Sequence, residues 1–334
     1  MAFVARLTNS DTAFEIEDGE TVLDAALRQG IDLDYGCRHG RCSACKYFLE
    51  DGEVDFGGAS VYSLSDEERE DGYGLMCCAT PLTDLVIQSK VVPDPRAKPQ
   101  LAPESRVGRV TSVSRVTNSL WHLSLDLDSP LDFYAGQFVE LQLSGTDAWR
   151  SYSIASDPAN GGELEFIIKY HSGGVFSGHL PDLSVGAEIA IRGPYGRSYL
   201  RDGDDDLILV ATGSGIAPIA SMLKAIAREG QNRAVALFYG ARTFEDVPHI
   251  VERLRRSLQD NARATVHICL TRSPDIWHGT RGRVTQAIQS EINDASSLSA
   301  YVCGSPEMCE TVGVLLEAKG IKDGELRYDK FHSA

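Results

Sequence analysis

The fold class predicted from this sequence is multidomain: an α+β module, then an antiparallel β-barrel, then an α/β segment with an open parallel sheet. Three observations predict it. A proline-rich stretch interrupts the chain near residue 100, closely spaced short strand patterns follow it, and strands then alternate with helices over the last 130 or so residues. The length of 334 residues suits two or three domains of ordinary size, and 43% apolar with 24% charged residues describes a globular chain with real cores.

The elements follow in order. FVARLTNSDTAFEIEDGE reads as a β-hairpin, with apolar residues alternating on either side of Asn9–Asp11, and TVLDAALRQG reads as a helix capped by Thr21 and ended by Gly30. Residues 93–103, PDPRAKPQLAP, hold four of the thirteen prolines and form a stiff, extended spacer. RVGRVTSVSRV, LWHLSLDL, QFVELQLS, RSYSIA, ELEFIIKY and EIAIRGPYG are the barrel strands, with Gly193-Pro194-Tyr195-Gly196 read as a turn. LILVAT, IASMLKAIAREG, AVALFYG, HIVERLRRSLQD, TVHICLT, RVTQAIQSEI, SAYVCG and a helix from about Pro306 to Lys319 alternate as an open parallel sheet requires. The expected domains are 1–92, 105–203 and 204–334, with 93–104 as the linker.

Charge excludes some functions. There are 48 acidic and 32 basic residues, a net charge of −16, which argues against binding to nucleic acid or anionic lipid. Residues 1–92 carry 18 acidic and 7 basic residues, so −11 of that total lies there, either as a solvated face or as a docking face for a basic partner. No apolar run approaches a membrane span and no export signal is visible, so a soluble, cytoplasmic protein is expected.

Eight cysteines are present, and a disulfide framework does not suit a long chain without an export signal. Cys37, Cys42 and Cys45 crowd into nine residues, and Cys77 and Cys78 are adjacent. C-x4-C-x2-C with a distant fourth cysteine is the spacing of a plant-type 2Fe–2S cluster: three ligands on one tight loop wrap a small inorganic core, and Gly36 and Gly40 relieve the backbone crowding. Zinc is the alternative, although zinc motifs more often add a second C-x2-C or histidines, and His39 reads as a loop-surface residue. Spacing alone leaves Cys77 and Cys78 interchangeable as the fourth ligand.

Two further constellations carry chemistry. Arg150-Ser151-Tyr152-Ser153 offers a cation, an aromatic face and a small hydroxyl, which are the groups a flavin site needs, and Gly173-Gly174-Val175-Phe176-Ser177 could bring backbone N–H groups to phosphate oxygens. Downstream, a strand, the turn Thr212-Gly213-Ser214-Gly215 and a helix with Pro218 in its first turn make an anion site, distinct from G-x-G-x-x-G. Cys303-Gly304 ends a later strand at the carboxyl edge of the sheet, where nucleotides bind; taken singly, Cys303 reads as a core thiol.

The cysteine loop, proline spacer, RSYS, GSGIAP, FYGAR, YVCG and a terminal aromatic follow one another in the order of the ferredoxin–NAD(P)H reductase family with an N-terminal plant-type ferredoxin domain. The chain resembles the reductase components of bacterial multicomponent oxygenases, most of all the phenol hydroxylase reductases of the soluble diiron monooxygenases, in GEVDFGGASVYSLSDEERE and LMCCATPLTDLVIQ. The resemblance implies a β-grasp ferredoxin domain, a Greek-key flavin barrel and a nucleotide-binding parallel sheet. It assigns Cys37, Cys42, Cys45 and Cys77 to the cluster, and Arg150, Tyr152 and Ser153 to FAD, with Ser153 near N5 and the backbone of Gly174, Val175 and Ser177 on the pyrophosphate. Thr212, Gly213, Gly215, Pro218, Arg242, Cys303 and Gly304 would line the nicotinamide nucleotide site, with Cys303 beside the reacting carbon. Phe331 would shield the flavin ring where nicotinamide must dock.

Electron counting completes the expectation. NADH gives two electrons together, an oxygenase accepts them singly, a flavin can do both, and the cluster relays one at a time. NADH is expected over NADPH, although Arg242 and Arg272 lie at strand ends where a 2′-phosphate would need cations. The expected partner is the oxygenase component of a multicomponent monooxygenase, and the chain is expected to be a monomer. A Rieske-type dioxygenase as acceptor and a zinc-stabilised binding protein without turnover are the competing readings.

Overall fold

The computed structural model describes residues 2–8, 10–89, 94, 96–230, 233–258 and 263–331. Asn9 of the expected hairpin turn, Pro93 and Pro95 of the spacer, and His332, Ser333 and Ala334 lie outside the described residues. The chain divides into two compact units, Met1–Pro103 and Glu104–Ala334.

The first unit contains β1 (Phe3–Leu7), β2 (Ala13–Ile16), α1 (Val22–Arg28), β3 (Lys46–Asp51), β4 (Val54–Asp55), α2 (Asp66–Glu70), β5 (Tyr73–Leu75), β6 (Thr80–Pro81) and β7 (Leu85–Ser89). Its main sheet has the order β2-β1-β7-β3-β5, and β1–β7 is its parallel pair. Helix α1 is capped by Thr21, whose hydroxyl accepts from the Asp24 N–H at 3.1 Å, and it buries Val22, Leu23, Ala25, Ala26 and Leu27. A short sheet grasping one buried helix leaves the segment between α1 and β3 free of regular structure, and that segment carries three of the clustered cysteines.

The second unit begins with β8 (Glu104–Arg115), β9 (Leu120–Leu127), β10 (Phe138–Leu143), β11 (Arg150–Ser153), β12 (Glu163–Lys169) and β13 (Glu188–Tyr195). These six pair antiparallel in the order β11-β10-β13-β8-β9-β12, and an Ile154–Phe166 bridge joins the two ends, so the sheet closes as the alternating apolar pattern predicts. Inward-facing Val110, Leu123, Leu125, Val139, Leu141, Phe166 and Ile191 fill it. The expected turn at residues 193–196 is corrected: β13 runs on to Tyr195 and pairs there with Phe138, so Gly193-Pro194 is part of a strand.

The unit continues with β14 (Asp206–Thr212), α3 (Ile216–Glu229), β15 (Val235–Ala241), α4 (His249–Ser257), β16 (Ala264–Leu270), β17 (Thr280–Arg281), α5 (Val284–Glu291), β18 (Leu298–Gly304), α6 (Pro306–Ala318) and β19 (Leu326–Lys330). The sheet is parallel throughout, in the order β17-β16-β15-β14-β18-β19. Helices α3 and α4 pack on one face around Leu209, Leu237 and Tyr301, and α5 and α6 pack on the other around Ile208, Phe238 and Val302. Chain order reverses beside β14, which places the strand–helix turn after Thr212 at the crevice where such sheets bind ligands.

Buried Tyr301 supplies a polar anchor in this core, since its hydroxyl accepts from the Arg201 N–H at 2.8 Å. Tyr301→Phe is expected to leave that N–H unsatisfied and to cost about 1–3 kcal/mol, read as a lower urea midpoint at unchanged m-value.

Candidate functional site

The cysteine loop is coiled tightly enough to put non-glycine residues into left-handed backbone. Arg38 (φ 60°) and Ser43 (φ 57°) adopt it together with Gly40 (φ 67°). Such conformations persist only where surroundings over-determine them, and here two contacts do so. Arg38, only 5% exposed, pairs with Asp24 of α1 at 2.5 Å, and the Ser43 hydroxyl donates to the Ser63 carbonyl at 2.9 Å.

The winding turns backbone donors inward. The N–H of Cys37 donates to Cys42 Sγ at 3.2 Å, and those of His39 and Arg41 donate to Cys37 Sγ at 3.4 Å each. The sulfurs meet in two pairs, Cys37 with Cys42 and Cys45 with Cys77. Contact with the Cys42 thiol, then the His39 and Arg41 N–H groups, holds the Cys37 thiol well below the usual thiol range. Contact with Cys45, then Cys78, the Gly40 N–H and the Arg38 cation, holds Cys77 down as well. Cys42 and Cys45, the other members of each pair, are pushed up. Among the described residues no three His, Cys, Asp or Glu side chains are grouped to hold a single ion. Two sulfur pairs wrapped in N–H donors fit a two-iron core, which takes two thiolates per iron and hydrogen bonds to sulfur.

In the second unit, β11 carries Arg150, Tyr152 and Ser153 along the barrel edge. The Tyr152 ring packs on buried Phe176 with centroids 5.1 Å apart, which ties this strand to the Gly173–Ser177 segment. Gly173 is left-handed (φ 75°) and Gly174 sits against the Ser177 hydroxyl and the His171 carbonyl, so this backbone turns sharply ahead of the short helix at Ser177–Asp182. Val175 is exposed. A cation, an aromatic face and a tight glycine turn on one rim fit a flavin with its pyrophosphate.

At the parallel sheet's carboxyl edge, Gly215 lies so close to the Cys303 carbonyl that a Cβ there would collide with it, which brings the Thr212–Gly215 turn directly over the end of β18. Gly304, in turn, lies against the Thr212 hydroxyl, and Pro218 stands in the first turn of α3, where its missing N–H costs nothing. Cys303 is fully buried, between Ala211 of β14 and Asp329 of β19. The Phe331 N–H donates to the Gly304 carbonyl at 2.7 Å, so Phe331 stands at the same edge. Arg242 follows β15, one strand further along the sheet, and its carbonyl accepts from the Arg272 N–H at 2.7 Å.

One residue in this group escaped the sequence reading. The Ser153 hydroxyl lies 3.2 Å from Asp329 Oδ2, which joins the flavin rim of the barrel to the nucleotide edge of the sheet. Burial pushes the Asp329 carboxyl up to about 6, against the downward pull of Ser153. The only trace in the sequence is an acidic residue two positions before Phe331 in a segment too polar to announce a strand.

Family models match three successive stretches: a 2Fe-2S iron-sulfur cluster binding domain over residues 6–82, an oxidoreductase FAD-binding domain over 107–199 and an oxidoreductase NAD-binding domain over 209–313. The reductase component of propane 2-monooxygenase from Rhodococcus jostii (strain RHA1) is 35% identical over 97% of this chain and 90% of that protein. The phenol 2-monooxygenase reductase component DmpP from Pseudomonas sp. (strain CF600) is 33% identical over 100% of this chain and 96% of that protein. The chain belongs to the ferredoxin–NAD(P)H reductase family. Among solved structures, the Amycolatopsis cytochrome P450 reductase GcoB superimposes with a TM-score of 0.88 at 29% identity, covering 98% of each chain. Membership makes the protein an NAD(P)H oxidoreductase with iron–sulfur, FAD and NAD domains, which sets aside the zinc-stabilised binding protein. Among the described residues no helix is long and apolar enough to cross a membrane.

Asp329 yields a test with a definite sign. Its folded value of about 6 lies above the ordinary 3.8, so the folded state holds this proton longer than the unfolded chain. The stability it contributes is fully present below the unfolded value and is lost as pH rises through about 6. Asp329→Asn is expected to flatten that part of the stability profile, by no more than about 3 kcal/mol in total, in denaturant midpoints of the cofactor-free protein taken between about pH 3.5 and 7.

Proposed function

We propose that this chain carries electrons from NADH, through FAD and one 2Fe–2S cluster, to the oxygenase component of a phenol hydroxylase-like diiron monooxygenase. The observation that carries the reading is the succession, in one chain, of a thiolate loop for one-electron relay, a flavin rim and a nucleotide edge, the last two joined by the Ser153–Asp329 contact. Relatives of nearly full-length overlap that are named as monooxygenase reductase components support the choice of acceptor.

When bound, flavin takes two electrons as hydride and releases them singly, and the cluster accepts one at a time. The chain's own residues prepare each site. Cys37, Cys42, Cys45 and Cys77 ligate the irons, while the N–H groups of Cys37, His39 and Arg41 and the buried Arg38 cation offset their negative charge. Arg150 meets the flavin pyrophosphate together with the backbone of Gly174, Val175 and Ser177, and Tyr152 backs the ring. Thr212, Gly213, Gly215 and Pro218 seat the nucleotide phosphates at the head of α3. Cys303 and Gly304 shape the nicotinamide floor, Ser153 and Asp329 stand at its flavin side, and Phe331 covers the opening until nicotinamide displaces it.

NADH is favoured by the resemblance to oxygenase reductases, which generally use NADH. We further propose a monomeric, cytoplasmic protein.

The test uses the anaerobically reconstituted protein. NADH is expected to bleach flavin and cluster absorbance and to support turnover of a diiron phenol hydroxylase, with kcat/KM for NADH above that for NADPH. Cys45→Ser is expected to abolish the reduced-cluster electron paramagnetic resonance signal and cytochrome c reduction, while flavin-level ferricyanide reduction stays within about threefold, because the hydride site lies in the other unit. Efficient turnover only with a Rieske dioxygenase, or a preference for NADPH, refutes the respective part of the proposal.

A further inference from the structure

Two adjacent cysteines stand where the cluster takes one, and the second has a place of its own. Cys78 Sγ lies 3.7 Å from Cys77 Sγ, whereas the sulfur that meets Cys45 is that of Cys77. The surrounding backbone is cut to hold Cys78. A Cβ on Gly40 would fall 2.6 Å from Cys78 Sγ, and one on Gly57 would fall 2.5 Å from the Cys78 carbonyl oxygen. The Cys78 N–H donates to the Leu75 carbonyl at 3.0 Å, and the Ser60 N–H donates to the Gly40 carbonyl at 3.0 Å, so the residue is fixed by its own turn and the loop opposite is fixed over it. A side chain at residue 40 would thus press on the Cys78 sulfur, and glycine there lets it stay beside Cys77.

Resting on the proposed cluster ligation, we infer that Cys78 is a hydrogen-bond donor to the ligand sulfur of Cys77 that sets the cluster's reduction potential, and is not itself a ligand. A sulfur bound to iron can only accept, so of these two the Cys78 S–H is the donor. The same Cys77 sulfur accepts the Gly40 N–H, and Cys78 adds a side-chain donor to it. Hydrogen bonds to a ligand sulfur draw off electron density and favour the more negative, reduced cluster, which raises its potential. Such a bond makes the relay a better acceptor of the flavin's electrons without changing its ligands.

The experiment is an anaerobic redox titration of the full-length holoprotein followed by electron paramagnetic resonance, on wild type, Cys78→Ala, Cys78→Ser and Cys77→Ser. Cys78→Ala is expected to keep its cluster with a lower potential, shifting the reduction equilibrium by about threefold to tenfold, tenfold being about 59 mV for one electron. Cys78→Ser, which keeps a donor, is expected to lie closer to wild type. Electron–nuclear double resonance after exchange into D2O is expected to show one exchangeable proton coupled to the wild-type cluster that Cys78→Ala lacks, a signature a purely structural role would not produce. Wild-type potential together with an unchanged proton spectrum in Cys78→Ala overturns the inference. So does a Cys78→Ser protein without a cluster, above all if Cys77→Ser retains one, because ligation then belongs to Cys78; this arm decides the matter even if Cys78→Ala does not fold. A wild-type protein that binds no cluster refutes the proposed function itself, and the inference with it.

Discussion

Backbone approaching backbone more closely than side chains permit is the constraint on which both halves of this molecule depend. At residue 40 the loop lies against the Cys78 sulfur and the Ala59 backbone; at residue 215 the turn lies against the end of β18. Each contact needs glycine, and each fixes a place where a charged, polarizable group could be surrounded by peptide dipoles. In the first unit these dipoles point at sulfur, and in the second they stand at the head of α3. Neither place depends on a large side chain for its shape, which suits sites whose occupants are themselves bulky and planar or compact and inorganic.

The electrostatics of the two sites differ in a way their chemistry would require. Around the cysteines N–H donors, and a guanidinium sunk into the unit and paired with Asp24, offset burial and the mutual repulsion of the sulfurs. Around Cys303 the opposite holds, because burial and the neighbouring Asp329 push its thiol well up. The first arrangement favours thiolates that bind metal; the second keeps Cys303 a neutral, soft surface.

Much of the fold was legible in the residues. LWHLSLDL coincides with β9, and the pattern of β-strand and helix in the last third recovers β14 to α6 to within a few residues, because buried parallel strands are continuous apolar runs and their helices are amphipathic. What escaped detection had no apolar signal. Helix α2 is five charged residues with no buried face, held by the Ser65–Glu68 capping box, and β17 is two residues long. Strand β19, LRYDK, is a polar edge strand fixed by its pairing with β18, so Asp329 could not be placed beside Ser153 without knowing that pairing. The cysteine loop could be singled out because its spacing is local to one short loop; the proposed nucleotide edge could be singled out only in part because its residues come from four strands.

Ser153 and Asp329 are separated by 176 positions in the chain. Closing a loop of that length costs entropy that one hydrogen bond does not repay, so the contact depends on the barrel edge and β19 being held in place by their own strand pairings. A chain shortened before β19 would therefore lose both an edge strand of the sheet and this tie to the barrel.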